Sequence, residues 1–199
     1  MKKIVLVLLV LTVVTTTIQA QKTSDTFAKK DNVIGIGFGI GGVYGYSSYD
    51  SQTPVFGVQY ERGIVEFGMG GVLGVGGFVG YKGYVNKIKG NNGNNNNNNE
   101  EYKIKSNIFI IGARGTFHYD LFKVKNLDTY AGAMIAFHVV NESTDAPNDF
   151  YDDYYDSHAS AAYASIFAGA KYYFAPQVAA FAEVGYGVSW LTTGIAFKF

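Results

Sequence analysis

The feature that most constrains this chain is an alternation with period two that recurs along it after residue 32, large apolar residues on one parity and glycine or other small residues on the other. Ile34, Ile36, Phe38 and Ile40 alternate with Gly35, Gly37, Gly39 and Gly41. Val65, Phe67, Met69, Leu73, Val75, Val79 and Tyr81 share one parity, and Glu66, Gly68, Gly70, Gly74, Gly76, Gly80 and Lys82 share the other. Ala131, Ala133, Ile135, Phe137 and Val139 alternate with Tyr130, Gly132, Met134 and His138. Period two is the signature of strands with two chemically different faces, and no stretch after the first twenty residues carries a long helical period. Eight strands are expected, at about 33–46, 54–61, 64–88, 102–119, 128–141, 159–174, 178–188 and 191–199. Most reach the ~9–11 residues that a tilted strand needs to cross a bilayer.

The sidedness of these strands decides which solvent each face meets. In a soluble sandwich the large residues face a core and the other face carries charge. Here the second face is too small and too sparsely charged for that role, since 25 of 199 residues are Gly and only 16% are charged, against usual values near ~7% and ~25%. Turned inside out, the pattern works. Large residues meet lipid, small ones fit the narrow lumen of an eight-stranded barrel, and closure leaves no backbone group unpaired in hydrocarbon. The expected fold is all-β, an eight-stranded antiparallel up-and-down transmembrane barrel. A soluble lipocalin-like barrel is the alternative. The absence of Cys excludes a disulfide framework and Cys-ligated metal, and a formal net charge of +0 excludes a dedicated nucleic-acid binder.

The N-terminus agrees with export. Met1-Lys2-Lys3 precedes an apolar run from Ile4 to Val14, and Ile18-Gln19-Ala20 precedes a polar segment from Gln21. This is the pattern of a secretory signal peptide over 1–20, with a run too short for a comfortable transmembrane helix. Its removal takes the chain from 16 basic and 16 acidic residues to 14 and 16. Residues 21–32 read as a periplasmic linker and 33–199 as the barrel.

The connections give an independent expectation, because such barrels have short periplasmic turns and longer outer loops. Turns fall at Arg62-Gly63, 120–127 and Ala175-Pro176-Gln177. Outer loops fall at 47–53, 89–101, 142–158 and Ser189-Trp190. Within 89–101, Asn91 to Asn99 is Asn at every position but Gly93, a low-complexity loop tip. The flanking Lys82, Lys87, Lys89, Lys103 and Lys105 suit anionic lipid headgroups or plain solvation.

The segment Leu191-Thr192-Thr193-Gly194-Ile195-Ala196-Phe197-Lys198-Phe199 alternates apolar residues up to a final aromatic. It resembles the C-terminal signal read by the outer-membrane barrel assembly machinery, with Ile195, Phe197 and Phe199 as its apolar positions. With Tyr60-Glu61-Arg62-Gly63, Gly112-Ala113-Arg114-Gly115 and Ala182-Glu183-Val184-Gly185-Tyr186-Gly187, residues 30–199 resemble the small porin-like outer-membrane β-barrel family of the OmpX and OmpW types. The resemblance implies residence in the outer membrane of a Gram-negative bacterium among its lipids. It implies no catalytic motif and no cofactor.

Glu66, Lys82, Arg114, Lys171 and Glu183 carry the lumen parity. Ions in a narrow lumen must pair, because unpaired burial is costly, so they read as a salt-bridge network plugging the barrel. A selectivity lining for a solute path is the sharper alternative. Glu142, Asp145, Asp149, Asp152, Asp153 and Asp156 make an acidic outer loop without Lys or Arg. It suits a divalent cation or a cationic partner, although its spacing matches no EF-hand and a solvated loop needs no partner. His118, His138 and His158 do not converge on one site. No oriented Ser–His–acid set is present, and the Gly runs lack the Lys-Ser/Thr of a phosphate loop. The expected function is therefore non-enzymatic: structural, adhesive or interactive at the cell surface, with an extracellular partner met through the outer loops. A narrow channel for small or hydrophobic solutes is the alternative, and a lipid A-modifying enzyme a more distant one.

Overall fold

A computed structural model describes residues 26–42, 50–68, 70–90, 100–144 and 160–199. The expected signal peptide, the Asn tract and most of the acidic loop lie outside the described residues. Eight long strands form the wall: β1 (Asn32–Ile40), β2 (Val55–Glu66), β3 (Val72–Gly90), β4 (Glu100–His118), β5 (Leu127–Thr144), β6 (Ala161–Ala175), β7 (Val178–Tyr186) and β8 (Leu191–Lys198). Each pairs antiparallel with its neighbour in sequence, and β1 pairs with β8 from Val33↔Lys198 to Ile40↔Leu191, which closes the ring. A two-residue piece, Ser51–Gln52, adds to the outer part of β3. The chain is thus an up-and-down barrel with no free edge, and every strand finds hydrogen-bonding partners on both sides.

The two faces separate as period two requires. Outward residues include Ile36, Phe56, Val79, Ile111, Phe137, Ile166 and Val184, all exposed, with Ile135 at 70%. Aromatics stand toward the ends of this apolar belt. Tyr119, Phe122, Phe174 and Phe199 lie at the short-turn end, and Tyr186 and Trp190 at the opposite one. Such girdles mark the two interfaces of membrane barrels. The inward residues are buried and form two apolar layers within the lumen. Phe27, Val33, Val72, Tyr173, Ala179, Phe181 and Ala196 pack near the short turns. Val55, Tyr84, Ile108, Ile110, Met134, Ala136 and Val188 pack near the long loops.

Inward glycines have a specific use. A Cβ on Gly57 would stand 2.5 Å from the Phe78 ring, and one on Gly169 would stand 2.8 Å from the Tyr130 ring. Glycine on one strand therefore seats an aromatic from another, which lets large rings close a lumen eight strands wide.

The first turn corrects the sequence expectation. Arg62-Gly63 is not a turn: β2 runs through it to Glu66, and the hairpin to β3 lies at 67–71. The Gly70 amide donates to the Phe67 carbonyl at 2.9 Å, with Gly70 at φ 82°. The alternation is unbroken from Val65 to Tyr81 because a register shift between Gly63 and Val65 sets Val65 opposite Leu73 and Glu66 opposite the buried Val72, at the end of the strand where Glu66 is exposed. Gly70→Ala is expected to cost about 1–2 kcal/mol from backbone conformation alone, since no atom lies within 4 Å of the added methyl. Gly68→Ala, equally open but without a positive φ, should unfold at the wild-type urea midpoint. Equal midpoints for all three proteins would refute this account of the turn.

At the loop end, β3 and β4 each reach two residues further than expected, β3 on to Gly90 and β4 back to Glu100. They stay paired to Gly90↔Glu100, well past the point where β2 leaves β3 at Phe56↔Tyr81. The pair projects as a ribbon, on which Lys87 meets Glu101 at 2.8 Å. The hydrogen bond and charge of that carboxylate push the Lys87 pKa up.

Candidate functional site: an ion-paired lumen

Among the described residues, the densest chemistry lies inside the barrel between the two apolar layers. Glu61 on β2, His118 and Thr116 on β4, Asp128 on β5 and Lys171 on β6 all point inward and are buried. Lys171 Nζ lies 2.9 Å from Glu61 Oε2 and 3.9 Å from Asp128 Oδ2. His118 Nε2 lies 2.6 Å from Glu61 Oε1, and its Nδ1 lies 2.9 Å from both Asp128 oxygens. The Thr116 hydroxyl donates to the same Glu61 oxygen. A histidine with a carboxylate at each ring nitrogen donates from both, which is the imidazolium form. The site has no room for a metal, because the Lys171 ammonium occupies the place between carboxylates that a cation would take.

A second group continues the network toward the loops. Arg114 on β4 donates through one terminal nitrogen to Glu183 Oε1 on β7 at 2.7 Å, and through the other to Gln59 Oε1 on β2. The guanidinium carbon sits 4.3 Å from the Phe167 ring centroid. Tyr130 joins the two groups. Its hydroxyl donates to Glu183 Oε1 at 2.8 Å, and the Lys171 ammonium lies 3.9 Å from its ring centroid. Three carboxylates (Glu61, Asp128 and Glu183) are matched by Lys171, Arg114 and the His118 imidazolium. Burial of so many ions is tolerable only with this degree of pairing.

The expected lumen residues do not all meet. Arg114 and Glu183 pair directly, and Lys171 connects to them through Tyr130. Lys82 is buried but stands apart, donating to the Gly41 carbonyl at 3.0 Å beside the Tyr84 ring. Glu66 is a correction. It pairs with the buried Val72 and so keeps the lumen parity, but it stands at the end of β2 beside the turn, beyond the packed lumen, and is exposed. Glu61, Gln59, His118, Asp128, Thr116 and Tyr130 were missed as members of the network. The signal was available in part: Glu61, Gln59, His118 and Thr116 alternate on the small-residue parity of their own strands. What sequence could not supply was the stagger between strands, which sets Glu61 level with His118, 57 residues away.

Residues 26–31, expected as a linker, instead cap the lumen. Phe27 is buried, with its ring 4.1 Å from that of His118, and the His118 ring is 5.0 Å from Tyr130. The segment is held by Lys30 N–H to the Gly63 carbonyl at 2.9 Å and by Lys198 Nζ to the Thr26 carbonyl at 2.9 Å. Gly63 has no space for a side chain, since its Cβ would lie 2.3 Å from the Ala28 carbonyl oxygen. Asp31 accepts from the Ala28 amide at 2.9 Å. Burial pushes the Asp31 carboxyl up, and that amide and Lys198 hold the rise back.

Of the acidic outer-loop residues, Glu142 is still in β5 and accepts from the Ser106 hydroxyl at 3.1 Å. Asp145, Asp149, Asp152, Asp153 and Asp156 lie outside the described residues. Ile195, Phe197 and Phe199 form an outward apolar row on and just after β8.

No family model and no curated relative matches the chain. Solved structures do. The attachment invasion locus protein Ail of Yersinia pestis, in complex with the heparin analogue sucrose octasulfate, is 12% identical. That match covers 86% of this chain and 100% of Ail, with a TM-score of 0.42. The N-terminal β-barrel domain of Pseudomonas aeruginosa OprF is 17% identical over 86% of this chain and 98% of that domain, with a TM-score of 0.40. Ail in a phospholipid bilayer nanodisc is 13% identical over 86% of this chain and all of Ail, with a TM-score of 0.38. By its own strand pairing and its outward apolar belt, the chain is a closed eight-stranded antiparallel barrel that resembles the small barrels of outer membranes.

Proposed function

We propose that this chain is a non-enzymatic outer-membrane β-barrel of a Gram-negative bacterium, acting structurally or as a surface-contact element through its loops. It is exported by the signal peptide at 1–20 and inserted by the barrel assembly machinery through the row Ile195, Phe197 and Phe199. Outer-membrane lipids surround its belt, with the short turns in the periplasm.

The observation that carries the reading is the combination of an apolar exterior with a lumen filled across its width by buried ion pairs. A wall of exposed Ile, Val and Phe side chains suits lipid, not water. Among the described residues, the buried Glu61–Lys171 and Arg114–Glu183 layers, with Phe27 beneath them, stand across the lumen where a solute path would run. A barrel closed in this way meets the outside only through its loop end. The projecting β3–β4 ribbon offers a partner surface there, and the acidic residues Asp145 to Asp156 follow β5 in sequence from that same end.

Heat-modifiable mobility tests the barrel, and planar-bilayer recording tests the plug. The folded protein is expected to migrate differently before and after boiling and to give no reproducible conductance. Identical mobility in both lanes would refute the barrel. Steady single-channel steps would favour the narrow channel instead.

A further inference from the structure

Above the Arg114 layer the lumen is not filled. A cavity of about 50 Å³ lies there, with Arg114, Gln59 and Glu183 as its floor, Phe78 and Phe181 among its walls and Val188 at the loop end. On that measure one water needs only about 10–15 Å³. Two buried polar atoms on its lining have no protein hydrogen-bond partner: Nε of Arg114 and Oγ of Ser165. Arg114 is 5% exposed and Ser165 6%. The Arg114 terminal nitrogens are already taken by Gln59 and Glu183, and Phe167 covers a face of the guanidinium. Its Nε–H edge is the donor left over. An orphaned buried donor is expensive, so whatever enters this cavity gains by supplying an acceptor.

We propose that this cavity is a binding site for a small uncharged molecule of a few heavy atoms that carries a hydrogen-bond acceptor, of the amide or sulfoxide class. The acceptor takes the Arg114 Nε–H and the Ser165 hydroxyl, and the remainder lies against Phe78, Phe181 and Val188. Charge is selected against. The Arg114 cation is already neutralised by Glu183 at 2.7 Å, so a further ion would enter unpaired beside either of them. Passage is selected against too, because the floor of the cavity is the ion-paired layer itself. The site is a blind cup inside the barrel, and it goes beyond a role for the loops, on which it does not depend.

The chain has only two arginines, Arg62 and Arg114, so ¹⁵N-arginine labelling gives two Nε–H resonances in the refolded barrel. The variant Arg62→Lys assigns them. With acetamide as the probe, the Arg114 resonance is expected to shift and saturate, while that of exposed Arg62 drifts linearly. Ser165→Ala removes one hydrogen bond and should weaken binding about three- to tenfold. Val188→Phe fills the cup and should abolish saturation. Folding of each variant is read from its unboiled gel band, and Ser165→Ala decides the matter if Val188→Phe does not fold. A linear drift of both resonances would mean that the cup holds only water, and the proposal would be wrong. It would be wrong equally if Ser165→Ala and every folded Val188→Phe sample bound acetamide as tightly as wild type, since acetamide would then be bound elsewhere.

Discussion

Glu61→Ala should be the most damaging single substitution in the lumen. The Glu61 carboxylate faces the Lys171 ammonium at 2.9 Å, the His118 ring at 2.6 Å and the Thr116 hydroxyl, all buried. Its removal leaves Lys171 with Asp128 at 3.9 Å and the Tyr130 and Phe27 ring faces. Breaking a buried pair by deleting one partner costs about 3–5 kcal/mol, because the other charge stays behind unmatched. Replacing both partners by apolar residues removes the stranded charge. The double variant Glu61→Leu/Lys171→Met should therefore recover much of the loss. Urea unfolding in phospholipid vesicles, followed through the unboiled gel band, measures both. A Glu61→Ala midpoint equal to wild type would show that the network contributes nothing to stability. A double variant as unstable as the sum of its singles would show that the two residues are not coupled.

Ile135→Arg should be nearly as costly, for a different reason. Ile135 lies midway along β5 and points outward between Ala113 of β4 and Ala164 of β6. In water an exposed Arg there would be harmless. At the bilayer midplane it costs about 2–4 kcal/mol, falling to about 0–1 near the interface. Leu121→Arg, on the connection between β4 and β5 and equally exposed, serves as the interfacial control. A vesicle unfolding series in which Ile135→Arg matches Leu121→Arg would mean that the outer face meets water, and the soluble barrel would return as the better reading.

These two substitutions also mark which features were legible in advance. The outward face was. Parity alone puts Ile135 with Ala131, Ala133 and Phe137, and the large residues are too many and the opposite face too small for any other solvent. The lumen was legible as a set of parities but not as a set of contacts. Arg114, Lys171 and Glu183 were identified as interior ions. Their partners Glu61, Asp128 and His118 were not, because contact across a barrel depends on how far each strand is staggered against the next. Glu66 shows the opposite failure. It keeps the lumen parity of Lys82, because a register shift after Gly63 sets it opposite the buried Val72, yet it is exposed beside the turn. Parity gives the face a side chain takes, not how far along the barrel it stands, and a bulge such as this one lengthens a strand without any mark in its apolar pattern.

The sequence by itself determined the fold class, the strand number and which residues face outward, because these follow from local alternation and the size of the residues on each parity. The tertiary structure alone decided three things. It placed the first hairpin at 67–71, folded Phe27 back under His118 as a stopper, and left a cup above Arg114. All three depend on the stagger of closed strands and on which side chains it brings to one level. That is a property of the whole ring, and it is written in no single segment of the chain.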